Sequence, residues 1–163
     1  MQTRIKIDKV EPAGYSAVLG LEKYIESTTL TRKHKDLIKI RSSQINGCAF
    51  CIDMHTKDAR ASGETEQRLY LLPAWRDANS IYNERERAAL AWTEAVTLLV
   101  NQQVPDEIYD AARKQFSEQE LLALTLAIVA IDGWNRFNIA MQTPAGGYQP
   151  GSFSTLTKET FHA

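Results

Sequence analysis

The sequence predicts an all-α protein, a compact bundle of about six to seven helices that forms one domain over residues 1–163. Apolar residues recur at the three-to-four-residue spacing of helices, and no segment shows a convincing period-two strand pattern. Helix-capping residues precede several of these segments, and glycine or proline follows them. The composition, 44% apolar and 24% charged in 163 residues, is ordinary for a single globular domain.

Four helices are predicted in the first half of the chain. Asn46-Gly47 interrupts the helical pattern between the second and the third, and Gly63 suits the C′ position after the third. The predicted helices are Ser16 to Ser27, a helix capped by Thr31 that runs to about Gln44, about Cys48 to Ala61, and Thr65 to about Pro73.

The second half predicts three helices and an irregular tail. Asn83 caps a helix that runs to about Val100, and Pro105 occupies the first position of a helix to Gln115. Ser117 and Glu120 form a capping box before the long apolar segment Leu121 to Met141. Because that segment is apolar nearly all round, we expect it to be central or to lie at a subunit contact. Proline and glycine make the chain irregular from about residue 143.

Charge and hydropathy argue against nucleic-acid binding and membrane insertion. Lys and Arg number 19 against 20 Asp and Glu, a net charge of −1, and no basic cluster stands out. The N-terminus lacks the apolar stretch of a signal peptide. The longest apolar run, Leu121 to Ile131, is far shorter than the roughly 20 residues needed to cross a bilayer. These features predict a cytoplasmic protein.

The chemistry-bearing segment is Cys48-Ala-Phe-Cys51-Ile-Asp-Met-His55. If a helix begins at Cys48, all three side chains share one face, and the two cysteines can close a disulfide within the first turn. Unpaired N–H groups and the helix dipole stabilise a thiolate there, and a neighbouring imidazole can carry its proton. A thiolate beside a resolving thiol is what peroxide reduction requires.

A structural zinc site is the main alternative. Cys48, Cys51 and His55 supply three ligands and His34 a possible fourth, but the second two-ligand knuckle usual in such sites is absent. A c-type haem would need histidine where Ile52 stands, and no flavin, nucleotide or metalloprotease motif occurs. We therefore expect no cofactor.

The segment from Asp36 to His55 resembles the signature of the alkylhydroperoxidase D and carboxymuconolactone decarboxylase family, an acid followed after eleven residues by CxxCxxxH. The resemblance extends from about Ala17 to Gln142, including Leu71-Leu-Pro-Ala-Trp75 and Trp134-Asn-Arg136. It implies an all-helical trimer or hexamer. The two cysteines are typical of the peroxidase branch, and the decarboxylase branch lacks them.

The resemblance also implies roles for individual residues. Cys51 matches the peroxide-attacking cysteine, Cys48 the resolving cysteine and His55 the relay histidine. Asp36 takes the place of the relay acid, which is usually glutamate. The helix-end argument alone favours Cys48 as the thiolate, so the two lines of reasoning differ on which sulfur attacks. The implied partners are a small hydroperoxide and an external thiol reductant, which in the family can be a dihydrolipoyl protein. A decarboxylase-like enzyme on the same scaffold is a further alternative.

Overall fold

The computed structural model describes residues 2–152, and this part of the chain contains eight α-helices, two short 3-10 helices and no strand. The all-α prediction is confirmed. The helices are α1 (Ile7–Val10), α2 (Pro12–Ser27), α3 (Arg32–Asn46), α4 (Ala49–Ala61), α5 (Glu66–Leu71), α6 (Glu84–Leu98), α7 (Asp106–Gln115) and α8 (Glu118–Ala140), with 3-10 turns at Leu72–Ala74 and Val100–Gln102.

The predicted count of six to seven helices is slightly low because α1 is a single turn of four residues, too short to show a helical period. Two helix starts also differ from prediction. Helix α2 begins at Pro12, capped by the Glu11 side chain, and not at Ser16. Pro105 is the N-cap of α7, with extended backbone, and not its first helical residue.

The predicted caps form as the sequence indicates. Thr31 accepts the backbone N–H of His34 at the start of α3. Asn83 and Ser117 both form complete capping boxes, which fix the starts of α6 and α8. Each cap satisfies N–H groups that have no partner within the helix.

Helix α3 lies at the centre of the fold and packs against α4, α6 and α8. Its two sides contribute to different parts of the core. Ile38 joins Trp92 and Ile128 in the cluster shared with α6 and α8, while Leu37 joins Trp75 in a second cluster. This central position brings the end of α3 and the start of α4 against α8, where the cysteines lie.

Residues 143–152 contain no helix, and residues 153–163, the rest of the predicted irregular tail, lie outside the described part. No helix between residues 2 and 152 is both long enough and apolar enough to cross a membrane.

Candidate active site

The two cysteines lie at the start of α4. Helix α3 ends at Gly47, whose φ of +71° is a left-handed conformation that glycine adopts without strain. The chain then turns so that Cys48 becomes the N-cap of α4, and its Sγ accepts the Cys51 backbone N–H at 3.3 Å. Cys48 and Cys51 are joined by a disulfide, with their Cα atoms 5.3 Å apart. The predicted pairing within the first turn is therefore present.

A buried polar cluster anchors this turn to α8. Asn46 Nδ2 donates to Asp132 Oδ1 at 2.8 Å and to Asn135 Oδ1 at 2.9 Å. Asn135, which is fully buried, donates in turn to Ser43 Oγ at 3.0 Å. From the sequence, Asn46 is expected to interrupt the helical pattern together with Gly47. The structure shows its side chain fastening the end of α3, just before the cysteines, to the long helix.

Both sulfurs are buried against an apolar surface of α8. Cys48 and Cys51 are 1% and 0% exposed and pack against Ile131, with Phe50 and Trp134 beside them. A polar side chain of α8 reaches this cluster: Asn138 Nδ2 lies 3.6 Å from Cys51 Sγ. Sequence reasoning did not identify Asn138, because an asparagine near the end of a helix has no distinguishing pattern.

His55 is buried, with 8% of its surface exposed, one turn beyond Cys51 on α4. Burial lowers the pKa of His55 well below its ordinary value, and the positive charges of Lys39 and Arg32 lower it further. The imidazole is consequently neutral at pH 7. Burial disfavours the charged imidazolium, because the surroundings of His55 solvate a positive charge poorly.

Asp36, the predicted relay acid, lies on α3 and pairs with Arg32 at 2.8 Å. Burial raises the pKa of Asp36 and outweighs the opposing effect of the Arg32 guanidinium. Among residues 2–152 no hydrogen bond joins Asp36 to His55, although both side chains line the same cavity. A relay between them has to pass through that cavity.

The cavity has a volume of about 780 Å³ and is lined by both apolar and charged residues. The charged residues include Lys39 and Glu22, which form a largely buried ion pair 2.8 Å long. These two residues were not singled out from the sequence, where they resemble ordinary charges on a helix surface. The apolar and aromatic lining residues include Tyr15, Phe50, Met54, Trp134 and Phe137, and the charged ones include Glu22, Arg32, Asp36, Lys39 and Asp58.

The residues considered for zinc do not come together. Within residues 2–152, no group of three or more His, Cys, Asp or Glu side chains is arranged to hold a metal ion. His34 contacts Thr31 and packs edge-on against Phe116. It lies at the opposite end of α3 from the cysteines, about 18 Å away along the helix axis.

Two bacterial proteins are similar in sequence to this chain over most of its length. The uncharacterized protein YdfG of Bacillus subtilis (strain 168) is 45% identical over 141 residues, which cover 86% of this chain and 95% of that protein. The uncharacterized protein YnjA of Escherichia coli (strain K12) is 29% identical over 117 residues, which cover 69% of this chain and 61% of that protein.

Solved structures share the fold. A protein of unknown function from Agrobacterium tumefaciens, proposed to be an antioxidant defence protein AhpD, matches 90% of this chain and all of its own with a TM-score of 0.85 and 40% identity. The debrominase Bmp8 matches 83% of this chain and 73% of its own, with a TM-score of 0.74 and 25% identity. Residues 12–95 match the sequence profile of the carboxymuconolactone decarboxylase family, and this span includes both cysteines and His55. Since the match covers half of the chain and carries the CxxCxxxH segment, the chain belongs to the carboxymuconolactone decarboxylase family.

Proposed function

We propose that the protein is a dithiol-dependent hydroperoxide reductase. The observation that carries this proposal is the disulfide between Cys48 and Cys51 in the first turn of α4, next to the cavity that His55 lines. A disulfide that closes so short a loop constrains the unfolded chain little, so a structural role gives a weak reason for it. Redox chemistry gives a stronger one.

The proposed reaction begins with the reduced protein. The Cys51 thiolate attacks the terminal oxygen of ROOH, so that an S–O bond forms, the O–O bond breaks and alkoxide leaves. His55 delivers a proton to the alkoxide, which departs as alcohol. The Cys48 thiol passes its proton to His55, and its thiolate attacks the Cys51 sulfenic acid. The S–S bond forms as the S–O bond breaks, and His55 returns the proton to the departing hydroxide, which leaves as water. The dithiol thus supplies the two electrons that reduce the peroxide.

In this scheme the neutral imidazole of His55 accepts the proton of the Cys51 thiol, and the buried imidazolium then gives this proton to the leaving oxygen. Asp36 serves as the more distant member of the relay, across the cavity. Its ion pair with Arg32 holds the carboxylate on the cavity wall.

The cycle closes when an external thiol restores the dithiol through a mixed disulfide. The resemblance within the family suggests a dihydrolipoyl protein as this reductant. A dithiol that must be regenerated by thiols requires a reducing compartment, which for this protein we take to be the cytoplasm.

We also propose that the chain works as a homotrimer or homohexamer. On the outer face of α8, Leu122 and Val129 are 66% and 52% exposed, two helical turns apart. An apolar stripe on the longest helix is better explained by contact with another copy than by exposure to water.

Two alternatives predict different results. A decarboxylase-like enzyme of the same family would keep its activity after both cysteines are alkylated, whereas the proposed reductase would lose it. A zinc-stabilised binding module would contain one equivalent of zinc and lose its fold with a chelator.

The deciding experiment is a count of free thiols. The reduced protein should contain two thiols per chain before one equivalent of an organic hydroperoxide is added and none afterwards, with one equivalent of alcohol formed. The control receives the corresponding alcohol and should keep both thiols. If both thiols survive the peroxide, the proposed function is wrong.

A further inference from the structure

We propose that Asn138 is a catalytic residue that stabilises the thiolate of Cys51 and thereby makes Cys51 the attacking sulfur. This inference rests on the proposed peroxide chemistry but concerns a property of the thiol that can be measured without peroxide. It starts from the environments of the two sulfurs, which differ in the groups that donate to them.

The Cys48 sulfur accepts a backbone N–H, whereas the Cys51 sulfur faces a side chain. Cys48 Sγ receives the Cys51 N–H at 3.3 Å, as expected for an N-cap residue. Cys51 Sγ lies 3.6 Å from Nδ2 of Asn138 on α8. Because Cys51 is fully buried among apolar groups, its thiolate would be poorly solvated without such a donor.

The orientation of the Asn138 amide is fixed by a second hydrogen bond. Nδ2 also donates to the carbonyl oxygen of Trp134 at 2.9 Å. The two hydrogens of the amide nitrogen are therefore directed at Trp134 and at the sulfur, which settles which end of the amide faces Cys51. A donor held in this way needs no rearrangement when the thiolate forms.

Asn138 also lines the cavity that His55 and Asp36 share. Among residues 2–152 no group donates a hydrogen bond to its amide oxygen. The oxygen can therefore accept the O–H of a hydroperoxide entering the cavity, while the nitrogen holds the sulfur. As the S–O bond forms and the O–O bond breaks, the same amide would contact both the attacking atom and its target.

The test compares thiol pKa values in a Cys48→Ser background, in which thiolate absorbance reports Cys51 alone. Asn138→Ala and Asn138→Asp remove the donor, and the aspartate adds a negative charge at nearly constant shape. Loss of a hydrogen bond to a charged group should raise the pKa of Cys51 by about one unit in Asn138→Ala, and more in Asn138→Asp. Alkylation of Cys51 at pH 7 should slow by about tenfold.

Met141→Ala is the matched control, since Met141 lines the same cavity and offers no donor to sulfur. It should leave the pKa of Cys51 unchanged. In the chain with both cysteines, Asn138→Ala should slow peroxide consumption about tenfold at pH 7, with recovery at higher pH where the thiol is ionised in any case. A purely structural role would not restore the rate in this way.

The possible failures are distinguishable. If the pKa of Cys51 is the same with and without the Asn138 amide in folded protein, the inference is wrong even where peroxide is reduced. If the pKa rises as expected but no variant and no parent protein consumes peroxide, Asn138 stabilises the thiolate and the proposed function is wrong. Circular dichroism of both variants shows which proteins are folded, and two replacements keep the test decisive when one misfolds.

Discussion

Reduction of the Cys48–Cys51 disulfide should cost the protein little stability. The bond closes a loop of only four residues, counted with both cysteines. The loop-closure relation then gives about 2 kcal/mol of stabilisation, compared with about 4.7 kcal/mol for a loop of 100 residues. In a chain of this size, the loss of about 2 kcal/mol of stability corresponds to a fall in Tm of about 4–8 °C on reduction.

The contacts around the disulfide also indicate that little stability is lost on reduction. Gly47 ends α3 in its left-handed conformation, and Cys48 N–H donates to the Ser43 carbonyl oxygen at 3.0 Å. Asn46 remains tied to α8 through Asp132. None of these contacts depends on the disulfide, so the start of α4 should keep its geometry when the thiols are free.

Thermal unfolding followed by circular dichroism, with and without a reducing agent, measures this difference. The control is the double variant Cys48→Ser/Cys51→Ser, whose Tm should not respond to the reductant. A fall of more than about 15 °C on reduction, or unfolding at room temperature, would show that the disulfide holds the fold together. In that case the reasoning that makes it a catalytic bond fails.

Four further outcomes are expected. In Cys48→Ser, one equivalent of peroxide should leave a sulfenic acid on Cys51, which a dimedone-type reagent labels and mass spectrometry detects. Cys51→Ser should consume no peroxide. Labelling of Cys48 in Cys51→Ser would show that the roles of the two cysteines are reversed. Replacement of His55 by alanine should slow peroxide consumption by about 10²-fold, the usual scale of acid–base assistance, and an unchanged rate between about pH 6 and 8 would remove it from the mechanism. Leu122→Glu places a charge on the exposed apolar face of α8 and should shift sedimentation from an oligomer towards the 18.4 kDa chain; a wild-type protein that is already monomeric would contradict the proposed assembly. Burial and the charge of Arg85 lower the pKa of His34 in the folded protein. The free energy of unfolding should therefore be unaffected by His34 above about pH 6.5, the pKa in the unfolded chain, and should decrease as the pH falls below that value. In urea unfolding, His34→Gln should flatten this decrease, and a variant with the same pH profile as the wild type would contradict the prediction.

Much of the fold follows from local sequence signals. The capping boxes at Asn83 and Ser117 are read from residues three apart, and both form as predicted. The site motif is local as well, since Cys48, Cys51 and His55 lie within two turns of one helix. Local spacing determines such features, so a single sequence is enough to predict them.

The rest of the site depends on contacts between distant segments. Glu22 reaches the cavity because α2 packs against α8, which brings its carboxylate to Lys39 of α3. Asn138 meets Cys51 across 87 positions of sequence. The ion pair between Asp36 and Arg32 is an i,i+4 contact that can be predicted from the sequence. The family resemblance instead implied that Asp36 acts with His55. Tertiary packing decides these contacts, and no periodic pattern encodes them.

In the proposed cycle the two sulfurs need different kinds of stabilisation at different stages, which reconciles the helix-end argument with the family resemblance. Cys48, with the backbone N–H at its sulfur, has the features of a good leaving group, because a thiol of lower pKa departs faster in exchange. It would leave as thiolate when a reductant attacks Cys51. In the first half of the cycle Cys51 instead needs a donor that also faces the peroxide, and Asn138, on the cavity wall, meets both requirements. The helix start therefore favours Cys48 as the thiolate released on reduction, while the contact across to α8 favours Cys51 as the thiolate that attacks.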